Sequence, residues 1–292
     1  GVEFLYDRIE GYSEAAAQRM PHAWSGGEQH RLLRDQLLAM EDGGIFLIAP
    51  PAEPYRCPPG PYERVSMAAY YLKRHKPRSR IVILDAKDSF AKQKLFEDGW
   101  LRFYEDMIEW LPAEITGGLA AVDPAAMTVM TEDETFEVAV ANIIPPQRAG
   151  RIAQAAGLAD ETGWCPVDPA TLASRLQPDI HVLGDAIIAG DMPKSAFAAG
   201  SQAKACAMAV RAALTGAEAF PPRFRNTCWS FIAENHAVKV GANYRADADK
   251  IAKVESYISA ADEDDDRRAA TAREAAGWYA ATVRDIFGAA PS

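Results

Sequence analysis

The chain has 292 residues, 49% hydrophobic and 25% charged, a balance that excludes a largely disordered or fibrous protein and suffices for two or three packed lobes. A net charge of -10 argues against a nucleic-acid partner, which needs a basic face to neutralise phosphates, and leaves a basic protein partner open. No window reaches the ~18 consecutive apolar residues of a membrane span, and the opening residues carry no charged-then-apolar signal pattern.

In chain order, Gly1 to Phe4 leads into a loop, and a helix is predicted from Gly27 to Met40. No strand or glycine-rich turn precedes that helix, so the first half of any preceding nucleotide domain is expected upstream of Gly1. The apolar run Gly44 to Pro50 predicts a strand, Pro61 to Lys76 a helix and Arg80 to Asp85 a second strand. This is the βαβ outline of a dinucleotide domain, with an acid closing its second strand. The turn between strand and helix departs from that outline. It reads Pro54-Tyr55-Arg56-Cys57-Pro58-Pro59-Gly60-Pro61, without G-x-G-x-x-G, and its prolines remove backbone N–H donors that would bind a pyrophosphate. A cysteine stands where a phosphate cradle would be.

Further along, Phe90 to Leu111 reads as one aromatic-rich helical stretch. Short strands are expected at Gly118 to Val122, Met127 to Thr131 and Thr135 to Ile144, with Pro145-Pro146 marking a return to another lobe. A helix at Ala149 to Ala156, a loop at Gly163 to Asp168, a strand at Ile180 to Leu183 and a long helix from Ser195 to Leu214 follow. Past Pro221-Pro222, strands are expected at Asn226 to Ala233, Ala237 to Tyr244 and Ile251 to Ile258, then the acidic run Asp262 to Asp266 and a last helix from Arg267 to Phe287.

Four cysteines, Cys57, Cys165, Cys206 and Cys228, are too few for a disulfide scaffold, and none has C-x-x-C spacing, so no metal site and no c-type haem attachment is expected on this chain. Cys206, inside an alanine-rich helix, reads as an inert packed thiol. Gly184-Asp185 closes a predicted strand: the glycine permits a sharp turn, and the carboxylate there can accept from sugar-type hydroxyls. Lys194 and Ser195 stand at the start of the long helix, whose free N–H groups and positive dipole end suit an electron-rich ring oxygen.

The runs Met20-Pro21-His22-Ala23-Trp24, Arg56-Cys57-Pro58-Pro59-Gly60-Pro61-Tyr62-Glu63-Arg64, Gly163-Trp164-Cys165-Pro166-Val167-Asp168, His181-Val182-Leu183-Gly184-Asp185-Ala186 and Met192-Pro193-Lys194-Ser195 resemble those of the flavoprotein subunit of flavocytochrome c sulfide dehydrogenase. That family is related to sulfide:quinone oxidoreductase within the glutathione-reductase-like fold. The resemblance implies an α/β protein with two Rossmann-like dinucleotide-binding domains, the first incomplete here, plus a C-terminal α+β lobe. It divides the chain into 1–26 with 146–222 as the remainder of an FAD-binding domain, 27–145 as a second Rossmann-like domain without a nucleotide motif, and 223–292 as a flavin-covering domain. It also implies FAD, a redox disulfide between Cys57 and Cys228, periplasmic oxidation of sulfide, and delivery of electrons to a c-type cytochrome carrying haem on a separate chain. Asp185 matches the carboxylate holding the FAD ribityl chain, and Trp278 an aromatic stacking on the flavin.

Cys57, just before a helix, is expected to have a lowered thiol pKa. Glu63 reads either as a base for hydrosulfide protons or as a helix-dipole carboxylate. Cys165 reads either as a third redox sulfur or as a packed thiol, and the acidic run either as a cytochrome dock or as a solvated cluster. His181 is expected to be a packed core residue. A quinone reductase is disfavoured because the last helix carries four arginines rather than an apolar anchor, and a nicotinamide-dependent reductase because the Cys57 turn lacks the glycines. An inactive fragment or partner subunit without FAD is the reading outside the enzyme class.

Overall fold

A computed structural model describes residues 1–288. The first strand, β1 (Val2–Phe4), is followed by irregular chain and helix α1 (Glu28–Ala39). Then come β2 (Ile45–Ala49), α2 (Gly60–His75), β3 (Arg80–Leu84), α3 (Gln93–Tyr104), β4 (Ile108–Leu111) and the single turn α4 (Ala113–Thr116). Strands β5 (Ala121–Asp123), β6 (Thr128–Met130), β7 (Thr135–Glu137), β8 (Val140–Ile143) and β9 (Gln147–Ala149) precede α5 (Arg151–Ala155) and α6 (Ala196–Thr215). The C-terminal lobe is β10 (Arg223–Ala233), β11 (His236–Ala246), β12 (Ile251–Ile258) and α7 (Asp265–Phe287).

The central sheet is fully parallel in the order β4-β3-β2-β8. Its chain leaves β2 toward β3 and β4 and returns on the other side at β8, so the switch point lies at the ends of β2 and β8, where a doubly wound sheet opens its crevice. Strict alternation sorts its side chains. Phe46, Ile48, Ile81, Ile83 and Val140 face α1, α2 and α3 together with Ile232 and Val238 of the C-terminal lobe. Leu47, Ala49, Val82, Leu84, Ala141 and Ile143 face the segment Ile9 to Met20 and the meander β5-β6-β7. A third core joins the 149–206 region to Phe224, Ala242, Tyr244 and Ile251. The antiparallel sheet β10-β11-β12 thus has side chains in both large cores, which locks its position between them.

Several elements differ from expectation. The stretch from Phe90 is not one helix: α3 ends at Tyr104, Glu105 takes a positive φ of 54°, and the chain re-enters the sheet as β4. Alternation in Ile108–Leu111 is masked by neighbouring aromatics that suit either period. Thr135 to Ile144 divides into β7 and β8 because its halves belong to different sheets. Val2–Phe4, read as the start of a loop, pairs antiparallel with β9. Ile180 to Leu183 forms no strand; His181 makes an isolated bridge to Ala173 and is only half-buried.

The acidic run is largely spent on folding. Asp264 caps α7 by accepting from the Arg267 N–H at 2.8 Å, Glu263 pairs with Arg268 at 2.8 Å, and Asp265 forks onto Arg102 of α3.

His22, 3% exposed, accepts the Trp24 N–H on Nδ1 at 3.0 Å and meets the Tyr6 hydroxyl through Nε2 at 3.2 Å, which assigns the neutral Nε2–H form. Burial, with Arg64, His30 and Arg56 nearby, lowers its pKa to about 4. The unfolded imidazole titrates near 6.5, so below that pH the unfolded chain binds a proton that the folded one refuses. Stability is therefore expected to hold above pH ~7 and to fall, by about 1.4 kcal/mol per pH unit for this residue, as pH drops toward ~4. Urea midpoints unchanged between about pH 7 and 4.5 would count against this.

Candidate active site at the two sulfurs

Strand β10 packs against both α2 and α6, and this brings Cys228 to the start of α2, where Cys57 lies. Cys57 is a non-glycine residue at φ 58°. Its strained turn is held from three sides. Its own N–H donates to the Lys194 carbonyl at 2.8 Å, its carbonyl accepts from the Gly60 N–H at 2.9 Å, and the Arg56 carbonyl accepts from Trp24 Nε1 at 2.9 Å. Gly60 leaves no room for a side chain, since a Cβ there would lie 2.7 Å from the Trp24 ring and 3.0 Å from Cys57 Sγ. Strain held this firmly points to a working residue.

Both cysteines are free thiols in this structure, with Cys57 exposed and Cys228 half-buried. They are close enough that a negative charge on Cys228 disfavours one on Cys57. The lowered Cys57 pKa expected from the helix start is overturned. Desolvation, the Cys228 sulfur and the Glu63 carboxylate push it up to about 12, outweighing Lys92 and the Gly60 N–H.

Glu63, in the first turn of α2, has Oε1 accepting from the Phe231 N–H of β10 at 2.9 Å. Burial raises its pKa, against that N–H and Lys92. Two neighbours escaped sequence reasoning. Asn226 contacts the Cys228 sulfur through Nδ2 at 3.4 Å and accepts from the Ser195 hydroxyl at 2.5 Å, linking the sulfur to the cap of α6. Lys92, 6% exposed, reaches β10 from the start of α3. A lone lysine in a loop carries no local signal; only the tertiary contact reveals it.

The other predicted residues are placed as follows. Gly184 has φ 76°, which its lack of Cβ permits, and its N–H donates to Gln202. Asp185 Oδ1 is buried and has no hydrogen-bond partner among the described residues. Lys194 donates to the carbonyls of Asp185 and Ile187 at 2.9 and 2.7 Å and lies over Trp164, burial lowering its pKa to about 8. Ser195 caps α6 through Ala198 N–H. Trp278 stacks on Phe197 and on Trp229, whose Nε1 is also buried without a partner. Cys165 is fully buried with a pKa raised by burial, and Cys206 is buried on α6. Both lie in the third core. A cleft of about 570 Å³ runs between Glu53–Pro58 and Ile187–Lys194, beside the sulfurs, which do not line it.

The place of a nicotinamide nucleotide is filled. Asp85, at the end of β3 and fully buried, accepts from the Tyr62 hydroxyl at 2.5 Å, Lys87 Nζ at 2.5 Å and Trp110 Nε1 at 3.1 Å. Tyr62 stacks on Phe90 at 3.6 Å above it. The carboxylate that would bind a ribose is consumed by the core.

Residues 30–145 match the family model described as sulfide dehydrogenase [flavocytochrome c] flavoprotein chain, central, and residues 220–287 match flavocytochrome c sulphide dehydrogenase, flavin-binding. The chain belongs to the flavocytochrome c sulfide dehydrogenase flavoproteins. Solved structures share its fold. A chain of the Tetrahymena thermophila mitochondrial ATP synthase is 16% identical with a TM-score of 0.60, the match covering 86% of this chain and 64% of that one. The flavoprotein disulfide reductase RclA from Escherichia coli is 14% identical with a TM-score of 0.51, covering 83% and 50%. An FAD-dependent pyridine nucleotide-disulphide oxidoreductase from Desulfovibrio vulgaris is 14% identical with a TM-score of 0.51, covering 83% and 58%. The chain therefore spans between half and two thirds of these relatives.

As a member of that family, the chain carries the flavin-binding region at residues 220–287, and the cofactor that region takes is FAD. The residues present fit that cofactor: Asp185 Oδ1 and Trp229 Nε1 are a buried acceptor and a buried donor without partners among the described residues. Among the described residues no helix is long and apolar enough to cross a membrane.

Proposed function

We propose that the whole protein is a periplasmic sulfide dehydrogenase, oxidising sulfide at the Cys57–Cys228 pair and passing electrons through FAD to a c-type cytochrome on a separate chain. The observation that carries this reading is the meeting of two sulfurs, 171 positions apart by subtraction of their numbers, beside Glu63 and Lys92. In the oxidised form the pair closes to a disulfide. Hydrosulfide attacks the exposed Cys57 sulfur; a sulfur–sulfur bond forms to Cys57, the Cys57–Cys228 bond breaks, and its electron pair stays on Cys228 as thiolate.

Glu63 takes up the proton of the hydrosulfide or persulfide, and burial, by raising its pKa, makes it a better proton acceptor than an ordinary carboxylate. Asn226 Nδ2 orients the Cys228 sulfur. Asp185 would hold the ribityl hydroxyls of FAD, the start of α6 at Lys194 and Ser195 would face its ring, and Trp278 would cover it through the aromatic group it forms with Trp229 and Phe197. When bound, FAD supplies an acceptor that takes two electrons together and releases them singly. Residues 1–26 with 146–222 would form the FAD-binding part, 27–145 the sulfur-bearing domain and 223–292 the cover.

The test is the flavin spectrum of the holoprotein during anaerobic sulfide addition. Bleaching by sulfide, reversed by oxidised cytochrome c, is the expected result. A bound flavin left oxidised by sulfide but reduced by NADH would replace this reading with a nicotinamide-dependent reductase.

A further inference from the structure

We propose that the Lys92 ammonium is the fixed countercharge of the Cys57–Cys228 pair, held where it neutralises the thiolate that the reduced pair carries. This deepens the reading above and rests on it only for treating the two cysteines as a working pair.

Lys92 stands immediately before α3 with a left-handed φ of 65°. That conformation turns its side chain across to β10, where Nζ donates to the Cys228 carbonyl at 3.2 Å and to Ser230 Oγ at 2.7 Å. Two of its three protons are thereby used. The Phe96 ring lies 5.7 Å from Nζ. Burying an ammonium at 6% exposure is costly unless a negative charge faces it.

The groups around the sulfurs supply few such charges. Glu63 of α2 faces Lys92, but its Oε1 is engaged by the Phe231 N–H. Arg64 of α2 is a second cation that faces Cys57, but it is held away from β10 by Asn142 and the His22 and Ala23 carbonyls. Tyr55, in the Cys57 loop, donates to the Pro58 carbonyl, and Tyr244 of β11 is held neutral by burial. Lys92 is then the cation anchored directly on the strand that carries Cys228. Burial lowers its own pKa to about 8, while Cys228, Glu63 and Cys57 oppose that shift by favouring the ammonium. Ionisation of the pair releases one proton to water and leaves a thiolate against the ammonium; no electrons move.

The experiment follows iodoacetamide alkylation of the reduced holoprotein from about pH 5 to 10, resolved by mass spectrometry, without sulfide or electron acceptor. Lys92→Met is expected to raise the midpoint of the pair's first thiolate by about one unit, about tenfold slower alkylation below the midpoint, while Lys92→Arg stays near wild type. If Lys92→Met does not fold, Lys92→Gln, which keeps a hydrogen-bond donor but carries no charge, takes the same assay. A midpoint unmoved in a folded neutral variant overturns the proposal. Because sulfide is absent, a failure of the sulfide dehydrogenase reading leaves this shift intact, and the two failures are separable.

Discussion

Serine at position 57 or at position 228 is expected to reduce sulfide-driven flavin bleaching by on the order of 10³-fold or more. The reason is chemical rather than steric. Attack by hydrosulfide requires a sulfur–sulfur bond as its target, and a hydroxyl opposite the surviving thiol cannot form one. The two variants should still differ in a second readout. In Cys228→Ser the remaining Cys57 is exposed, lies at the start of α2 and stays open to alkylation. In Cys57→Ser the remaining Cys228 keeps its contacts with Asn226 and the Lys92 anchor and is only half-buried, so it is expected to be alkylated more slowly than the exposed Cys57. Anaerobic stopped-flow with sulfide, paired with site-resolved alkylation, reads both. A Cys228→Ser protein that bleaches within about tenfold of wild type would remove the disulfide from the mechanism.

Asp85→Ala is expected to destabilise the fold by about 3–5 kcal/mol, the cost of leaving a buried ion without its partner. Lys87 is only 13% exposed at its side chain and would face the cavity with its charge unmatched, while the Tyr62 hydroxyl and the Trp110 indole would lose their acceptor. The Pro51 carbonyl, 3.1 Å from Lys87 Nζ, offsets part of this but carries no full charge. Removing both charges together, as Asp85→Leu with Lys87→Met, should recover a large part of the loss. Urea denaturation of the three proteins decides the matter. A single-variant loss below about 1 kcal/mol would mean that this network contributes no more than an ordinary surface pair. The same side chain in a nucleotide-binding sheet would be left open for a ribose, so its stability role here is the counterpart of the missing glycine-rich turn.

How far each residue could be read ahead depended on the range of the force that places it. Apolar alternation and runs identified β2, β3, β10 and β11, because those strands bury side chains in cores whose demand is visible along the chain itself, while β12, mostly exposed beyond Ile251, was legible from its β-prone residues alone. Where local character suits two periods, as in Ile108–Leu111, neighbouring aromatics hid the strand. The Gly184-Asp185 turn and the Ser195 cap were legible because a sharp turn and a helix start each need particular residues. For Cys57 the local rule failed. A helix start lowers a thiol pKa, but desolvation and two nearby acidic groups, one of them on a strand far along the chain, act more strongly.

By itself the sequence determined the parallel Rossmann-like unit, the loss of its phosphate loop to prolines, the cysteine in its place and the family resemblance. These follow from backbone chemistry and hydrophobic periodicity, which act between neighbours. The resemblance already paired Cys228 with Cys57; only the tertiary structure decided that Glu63 binds β10, that Asn226 touches the Cys228 sulfur and that Lys92 is buried against the strand that carries it. Charge and desolvation act through space, and the distances they depend on exist only once β10 has docked between α2 and α6.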